Sequence, residues 1–261
     1  MYDFDYRRPA SLSDATALLS QDEDARALAG GQTLIPTLKQ RLAQPSLLVD
    51  LSAIPALRAI TATEGRVRIG AMATHATVAG SAAVRAVLPG LADLAAHIGD
   101  PQVRNRGTIG GSVANADPAA DYPAALLALD AVIHTDRRDI AAGDFFTGLF
   151  ETALAPGEIV TAIGVAAADH ACYAKAPHPA SRYALAGAFV VRRGGQVRVA
   201  VTGVADCVFR WTAAETALAA DFSPAALSGL TLPANGLNAD MHASAEYRAH
   251  LAGVLVRRAV G

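Results

Sequence analysis

A pair of glycines interrupts an apolar run near the start of the chain, in the segment ALAGGQTL at residues 27–34. Gly30 and Gly31 permit backbone conformations with positive φ and let a ligand approach the main chain closely. A helix is predicted just after them, with Thr33 as a hydroxyl donor or a cap. Free amide N–H groups at a strand-to-helix junction attract anions without any lysine, so this segment could hold a phosphate. An ordinary tight turn is the alternative interpretation.

A second glycine segment, GTIGGS at residues 107–112, repeats the pattern. Gly110 and Gly111 stand between the hydroxyl residues Thr108 and Ser112. We predict that the two segments are anion-holding turns, which together suit a diphosphate. Neither segment matches GxGxxG or GxxxxGK[ST], so the sequence contains neither a Rossmann fingerprint nor a P-loop at these positions.

Two aspartates follow the second glycine segment. Asp117 and Asp121 could accept hydrogen bonds from sugar-like hydroxyls, which a dinucleotide with a ribityl chain presents. Helix capping is the alternative for both, and for Asp117, which precedes a proline, we favour it.

The elements that must position these residues begin with a small α/β unit. Ser11 is predicted to cap a helix, with Asp14 placed as in a capping box. A short strand at residues 27–29, a helix with Pro36 in its first turn, and a strand at residues 47–50 follow.

The rest of the chain predicts a mixed α and β protein. A hairpin is expected around residues 64–65, and a helix from Pro89 in which Ile98 falls at helical spacing. Two strands joined at residues 194–195 and a closing helix around residues 244–260 predict a separate C-terminal α+β domain.

Composition and charge narrow the classes of function. The 261 residues are 52% hydrophobic, 18% charged and 5% aromatic, as in a globular protein. The net charge of -2 provides no basic face for a nucleic acid. The apolar stretches are too short to span a membrane and the N-terminus is unlike a signal peptide, so we expect a soluble cytoplasmic protein.

The cysteine and histidine pattern argues against a metal centre in this chain. Cys172 and Cys207 are the only cysteines, too few for an iron-sulfur cluster or a disulfide framework. The seven histidines show no metal-ligand spacing. A redox cofactor held here would therefore need partner chains to deliver its electrons.

At this point the sequence resembles a known family. AGGQTLIP and GTIGGSVANADPAADYPAALLALDA, in that order, are similar to the two flavin-binding segments of the medium, FAD-binding subunit of molybdenum hydroxylases, the carbon monoxide dehydrogenase and xanthine dehydrogenase family. The similarity continues through DFFTGLFETALAPGEIVTAI and YAKAPHPASRYALAGAFV, so it covers most of the chain.

The resemblance implies an α+β fold in two domains. The first, residues 1–165, would be a two-part FAD-binding domain of the vanillyl-alcohol-oxidase-like (PCMH) type, with subdomains at about 1–52 and 53–165. The second, residues 166–261, would be a C-terminal domain of the CO dehydrogenase flavoprotein type.

The resemblance also implies a function. In such enzymes a large subunit with a molybdopterin-type molybdenum cofactor hydroxylates the substrate, and 2Fe-2S clusters of a small subunit carry the electrons to the FAD. The FAD of the medium subunit passes them to an external acceptor. We therefore expect FAD on this chain, an iron-sulfur small subunit and a molybdenum large subunit as partners, and a dimer of heterotrimers. No catalytic side chain is expected, because the cofactor itself accepts and releases electrons.

Carried over position by position, the resemblance predicts a set of FAD-binding residues in two glycine segments and three single positions. They are Ala29, Gly30, Gly31, Gln32, Thr33, Leu34, Ile98, Thr108, Ile109, Gly110, Gly111, Ser112, Asp121 and Lys175.

Individual positions in that set have specific expectations. The first segment would hold the diphosphate, and Asp121 would bind the ribityl chain or a phosphate. The family usually has Asn where this chain has Ser112, which leaves that contact open. Ile98 could pack near the flavin or belong to a helix core, and Lys175 could match a family lysine or be solvated.

Four further residues have alternative roles that the sequence leaves open. Tyr173 and Tyr183 could shield the isoalloxazine ring or serve as packing residues. For His75 we favour capping or packing over catalysis, because the sequence shows no carboxylate partner. Arg104 is expected to pin the loop before the second glycine segment.

Two other functions compete with the electron-transfer subunit. One is a stand-alone FAD-dependent oxidase of a small substrate, although such proteins generally have a longer substrate domain. The other is a non-enzymatic module that binds a different nucleotide. A related reductase subtype with its own 4Fe-4S cluster is excluded because two lone cysteines cannot ligate one.

Overall fold

A three-stranded parallel sheet opens the computed structural model, which describes residues 1–261. Its strand order is β1-β3-β2, with Asp5 opposite Leu47 and Arg26 opposite Leu48. Ser11 caps α1 by accepting the N–H of Asp14, as the sequence predicts. The bounds are β1 Asp5–Arg7, α1 Leu12–Gln21, β2 Arg26–Leu28, α2 Leu34–Lys39 and β3 Leu47–Asp50.

A five-stranded antiparallel sheet and seven short helices form the middle of the chain. The strand order is β4-β5-β10-β6-β7, and the predicted hairpin around Glu64 and Gly65 is confirmed as β4 and β5. The bounds are β4 Ile60–Thr63, β5 Arg66–Gly70, α3 His75–Gly80, α4 Ala82–Val87, α5 Pro89–Ala96, α6 Pro101–Arg106, α7 Ile109–Asn115 and α8 Tyr122–Ala128. The segment continues with β6 Val132–Thr135, β7 Asp139–Ala141, α9 Ala142–Phe145, the small hairpin of β8 Phe146–Gly148 and β9 Glu151–Thr152, and β10 Val160–Ala166.

The C-terminal part is a four-stranded antiparallel meander with helices on one face. Gly194 and Gly195 both have positive φ at the turn between β12 and β13, as the sequence predicts. The bounds are β11 His170–Pro177, β12 Ala184–Arg193, β13 Gln196–Thr202, β14 Phe209–Arg210, α10 Thr212–Ala220 and α11 Ala245–Val260.

β12 is apolar at consecutive positions, and successive side chains of a strand point to opposite faces, so both faces of this sheet are buried. Phe189 and Val191 join the core of the middle segment, whereas Val190 joins a second core beneath α10 and α11. Burial of side chains of this size contributes roughly 1.5–3 kcal/mol each. The C-terminal sheet is thus fastened to the middle segment through a continuous apolar core, and the predicted α+β class is confirmed.

Two local expectations are wrong. α5 ends at Ala96, so Ile98 lies in the bend after the helix rather than on it. Asp117 does not start a helix; its Oδ1 accepts the N–H of Ala119 at 2.8 Å and closes a turn. Short side-chain caps of this kind compete with helix formation. None of the helices is long and apolar enough to cross a membrane.

Candidate functional site

A cavity of about 500 Å³ lies between the N-terminal sheet unit and the middle segment. Both glycine segments contribute to its wall. All the predicted cofactor residues line it except Ile109 and Lys175: Ala29, Gly30, Gly31, Gln32, Thr33, Leu34, Ile98, Thr108, Gly110, Gly111, Ser112 and Asp121. The tertiary structure therefore brings the two distant segments to one place.

The two glycine segments meet backbone to backbone. A Cβ on Gly30 would overlap the carbonyl oxygen of Arg106 and lie 2.7 Å from the Cα of Gly107. Gly31 has a φ of 75°, a region that residues with a Cβ rarely adopt. Glycine is needed at Gly30 for close approach and at Gly31 for conformation.

The first segment, which lines the cavity, contains backbone amides without a hydrogen-bond partner in the chain. The N–H groups of Gly30, Gly31, Gln32 and Thr33 donate no hydrogen bond within the chain. The side chain of Thr33 makes no capping bond to α2. Successive unpaired amides form a concave site for an anion, as the sequence analysis predicted for this segment.

The second segment has no comparable run of free amides, so the prediction that it forms a second anion-holding turn is wrong. Ile109 and Gly110 donate their N–H groups to the carbonyl oxygens of Ala73 and Ala71, at 3.0 and 2.9 Å. Gly111 donates to Oγ1 of Thr108, the N-cap of α7, at 3.1 Å.

Packing explains the glycine at position 110. Gly110 does not have a positive φ. A Cβ there would lie 2.5 Å from the Cβ of Ala71 and 2.8 Å from its carbonyl oxygen. The second segment therefore lines the cavity with closely packed backbone and not with free amides. Ser112 adds a side-chain hydroxyl that makes no bond within the chain.

Asp121 lies at the start of α8 but makes no capping bond. Its carboxylate accepts a hydrogen bond from the hydroxyl of Tyr173 at 2.5 Å and lies 2.8 Å from Nζ of Lys175. Burial raises the pKa of the Asp121 carboxyl, and the charge of Lys175 opposes that shift. Asp121 thus lines the cavity, and Lys175, which does not line it, balances the charge of its carboxylate.

Lys175 and Tyr173 belong to β11, outside the cavity wall. Nζ of Lys175 also donates to the carbonyl oxygen of His97 at 3.4 Å. Tyr173 packs beside Phe189, with ring centroids 6.2 Å apart, and burial raises the pKa of its hydroxyl. Both residues support Asp121 from the C-terminal sheet.

His75 and Arg104 shape the cavity wall. His75 is 4% exposed, and its backbone N–H donates to the carbonyl oxygen of Gly107 at 2.9 Å. Burial, together with the charge of Arg104, lowers the pKa of His75 to about 4, so the ring is neutral. Arg104 donates to the carbonyl oxygens of Ile98 and Gly99, which confirms that it pins a loop.

Sequence reasoning missed part of the wall. Ser181 and Arg182 line the cavity beside Tyr183, and Leu154 with residues 158–160 lines another side. Arg182 has a φ of 62°. Nothing in the local sequence signals that these positions meet the glycine segments, because their approach depends on how β11 and β12 pack against the middle segment.

A cavity lined by consecutive free amides, between the N-terminal α/β unit and the antiparallel middle segment, is suited to an anionic cofactor such as a dinucleotide. Residues 2–167 match the family described as the FAD binding domain in molybdopterin dehydrogenase. The chain belongs to this family and is a flavoprotein subunit of an oxidoreductase.

Similarity to relatives extends over nearly the whole chain. The nicotine 6-hydroxylase medium subunit of Paenarthrobacter nicotinovorans is 40% identical, across 98% of this chain and 95% of that protein. The carbon monoxide dehydrogenase medium chain of Afipia carboxidovorans is 41% identical over the same shares.

Solved structures share the fold. A chain of quinoline 2-oxidoreductase from Pseudomonas putida 86 superposes with a TM-score of 0.90 at 32% identity, covering 99% of this chain and 96% of that one. A chain of reconstituted CO dehydrogenase from Oligotropha carboxidovorans gives a TM-score of 0.90 at 39% identity with the same coverage.

Proposed function

We propose that this chain is the FAD-carrying medium subunit of a molybdenum hydroxylase complex, in which it relays electrons to an external acceptor. The electrons would come from 2Fe-2S clusters of a small partner subunit, after oxidation of a substrate on a large subunit with a molybdopterin-type cofactor. Relatives that share nearly the whole chain are medium subunits by name, and the quinoline and carbon monoxide enzymes share its fold.

The observation that carries this proposal is the run of unpaired amides at residues 30–33, which line a cavity together with the adjoining second glycine segment. A diphosphate requires several hydrogen-bond donors converging on one spot, and backbone amides provide them without a mobile side chain. The residues present therefore fit FAD. Once bound, FAD supplies the electron acceptance and release that no side chain here could provide.

Each predicted residue has a role in this proposal. The amides and hydroxyl of Thr33 and its neighbours bind the diphosphate, and Ser112 offers its hydroxyl to a phosphate or ribityl oxygen. Asp121 accepts hydrogen bonds from the ribityl hydroxyls, and Lys175 positions Asp121 through their ion pair. The remaining cavity residues shape the wall, with Ile109 as their core support: Ala29, Leu34, Ile98, Thr108, Gly110 and Gly111.

The division into domains and the assembly are also proposed. We place the FAD-binding domain at residues 1–165, with subdomains at about 1–52 and 53–165, and the C-terminal domain at 166–261. The sheet boundaries support this division to within one residue, since each of the three large sheets lies within one of these ranges except for Ala166, the last residue of β10. We further propose a location in the cytoplasm and, as the family resemblance implies, a dimer of heterotrimers.

The test is co-purification of the chain from its native host under mild conditions. We expect one larger and one smaller partner chain, together with molybdenum, iron and a bound flavin that has the absorbance of FAD. The chain produced alone should take up added FAD. Absence of flavin bands together with no uptake of FAD would contradict the proposal, and oxidation of a small substrate by the isolated chain would favour the stand-alone oxidase.

A further inference from the structure

The loop that joins β11 to β12 forms part of the cavity wall. Ser181, Arg182 and Tyr183 all line the cavity. Arg182 has a left-handed φ of 62°, a conformation that a side chain with a Cβ disfavours. The loop therefore needs specific contacts to keep these residues in place.

His178 provides those contacts from inside the loop. Its Nδ1 accepts hydrogen bonds from the backbone N–H groups of Ala180 and Ser181, at 3.2 and 3.1 Å. Its backbone N–H donates to the carbonyl oxygen of Tyr183, and its carbonyl oxygen accepts from the N–H of Arg182. A ring nitrogen accepts only when it carries no proton, so the proton of neutral His178 is on Nε2.

His242 completes the arrangement from the segment before α11. Nε2 of His178 lies 3.3 Å from Nδ1 of His242, and the two rings meet edge to face with centroids 4.4 Å apart. Because Nε2 of His178 carries the proton, Nδ1 of His242 is the acceptor. A second proton on either ring would place N–H groups against one another, so the arrangement requires both rings to be neutral.

Charged groups around the pair are already engaged. Asp240 accepts the backbone N–H of His242 at 2.8 Å and the guanidinium of Arg248 at 2.6 Å. These bonds, led by the one from His242, hold the pKa of the Asp240 carboxyl below its usual value.

The opposite end of the loop faces acidic groups. Burial, followed by the charges of Asp117 and Asp121, raises the pKa of the Tyr183 hydroxyl. The hydroxyl of Tyr183 therefore stays neutral at neutral and acidic pH.

We propose that His178 and His242 are positioning residues for the flavin site: paired as neutral rings, they hold residues 181–183 against the cavity, and protonation of either ring releases that wall. The proposal rests on the proposed function, since it takes FAD to be the occupant of the cavity.

The first test uses the full chain without FAD. NMR of protein labelled with ¹⁵N-histidine should show an unprotonated Nδ1 on His178 at about pH 8. As the pH falls to about 5, that signature should disappear together with shifts of the Ala180 and Ser181 amides. A proton on Nδ1 of His178 at the higher pH, or loop amides that do not follow its titration, would overturn the proposal.

The second test measures FAD affinity by fluorescence quenching at about pH 8 and about pH 5. The wild type should lose about fivefold in affinity on acidification, the effect of roughly one hydrogen bond. His178→Asn should abolish most of this loss, because an amide oxygen can accept the same two N–H groups and does not titrate. His178→Phe should be weakened at both pH values.

His250→Asn is the matched control, because His250 is exposed on α11 and distant in sequence from the loop. It should behave like the wild type. Equal acid sensitivity in the wild type and His178→Asn would refute the positioning role. Failure to bind FAD at either pH would instead refute the proposed function, and the NMR result would then decide the histidine pair by itself.

Discussion

Lys175 and Asp121 form a buried ion pair that joins the C-terminal sheet to the wall of the cofactor cavity. The Lys175 Nζ lies 2.8 Å from an Asp121 carboxylate oxygen, and the two side chains are 7% and 5% exposed. Tyr173 on the same strand donates to this carboxylate. The position of Asp121 at the cavity therefore depends on a strand that does not itself line the cavity.

Removing one member of this pair should be costly. Lys175→Met leaves a buried carboxylate without its cation, and we expect a loss of about 3–5 kcal/mol in the free energy of unfolding. Urea denaturation of the FAD-free chain measures it. Lys175→Met combined with Asp121→Asn should recover much of the loss, and Lys39→Met, at an exposed lysine, should have little effect. A single variant as stable as the wild type would show that the pair is not buried as described.

Gly110→Ala should destabilise the fold before it affects FAD. Its new Cβ would lie 2.5 Å from that of Ala71, and overpacking of this kind costs about 1–3 kcal/mol. Thermal unfolding without FAD should show the decrease. Gly80→Ala is the control, because nothing lies within 4 Å of a Cβ there, and alanine should stabilise that helix slightly. Unchanged stability with lost FAD affinity would restore a direct ligand role for Gly110.

Ser112→Ala tests the hydroxyl that the chain leaves unbonded. If this hydroxyl bonds the cofactor, its loss should weaken FAD binding by about 0.5–1.5 kcal/mol and leave the unfolding free energy unchanged. Isothermal titration with FAD gives the affinity. Ser13→Ala, on the exposed side of α1, should bind FAD as the wild type does. Equal affinities for all three proteins would remove Ser112 from the site.

Acid should destabilise the chain through His75. Its folded pKa of about 4 lies below the ordinary value of 6.5, so the unfolded chain binds more protons between these values. The contribution of the neutral ring is fully present above about pH 6.5 and is lost as the pH falls toward 4; we expect about 2 kcal/mol between pH 7 and pH 5.

Denaturant midpoints across this range, in the wild type and His75→Phe, measure that contribution. The variant should have a flatter profile, whatever its absolute stability. His178→Asn serves as a comparison, since it should retain the slope that comes from His75. Parallel profiles for wild type and His75→Phe would mean that His75 is not buried in its neutral form.

Local structure could be predicted from the sequence wherever both partners of an interaction lie within a few residues of each other. Ser11 and Asp14 are three residues apart, so a cap could be predicted, and the glycines at 194 and 195 marked a turn. The free amides at residues 30–33 follow from the glycine pair and the helix after it. These features need no distant contact.

The roles of Gly110, Asp121 and His178 were decided by distant partners. Gly110 packs on Ala71, Asp121 is held from β11, and His178 meets His242 from another segment. The sequence by itself therefore determined the mixed α and β class, the family and the anion-binding character of the first glycine segment. Only the tertiary structure decided which side chains are paired and which face the cavity, because pairing and burial depend on the packing of elements far apart in the chain.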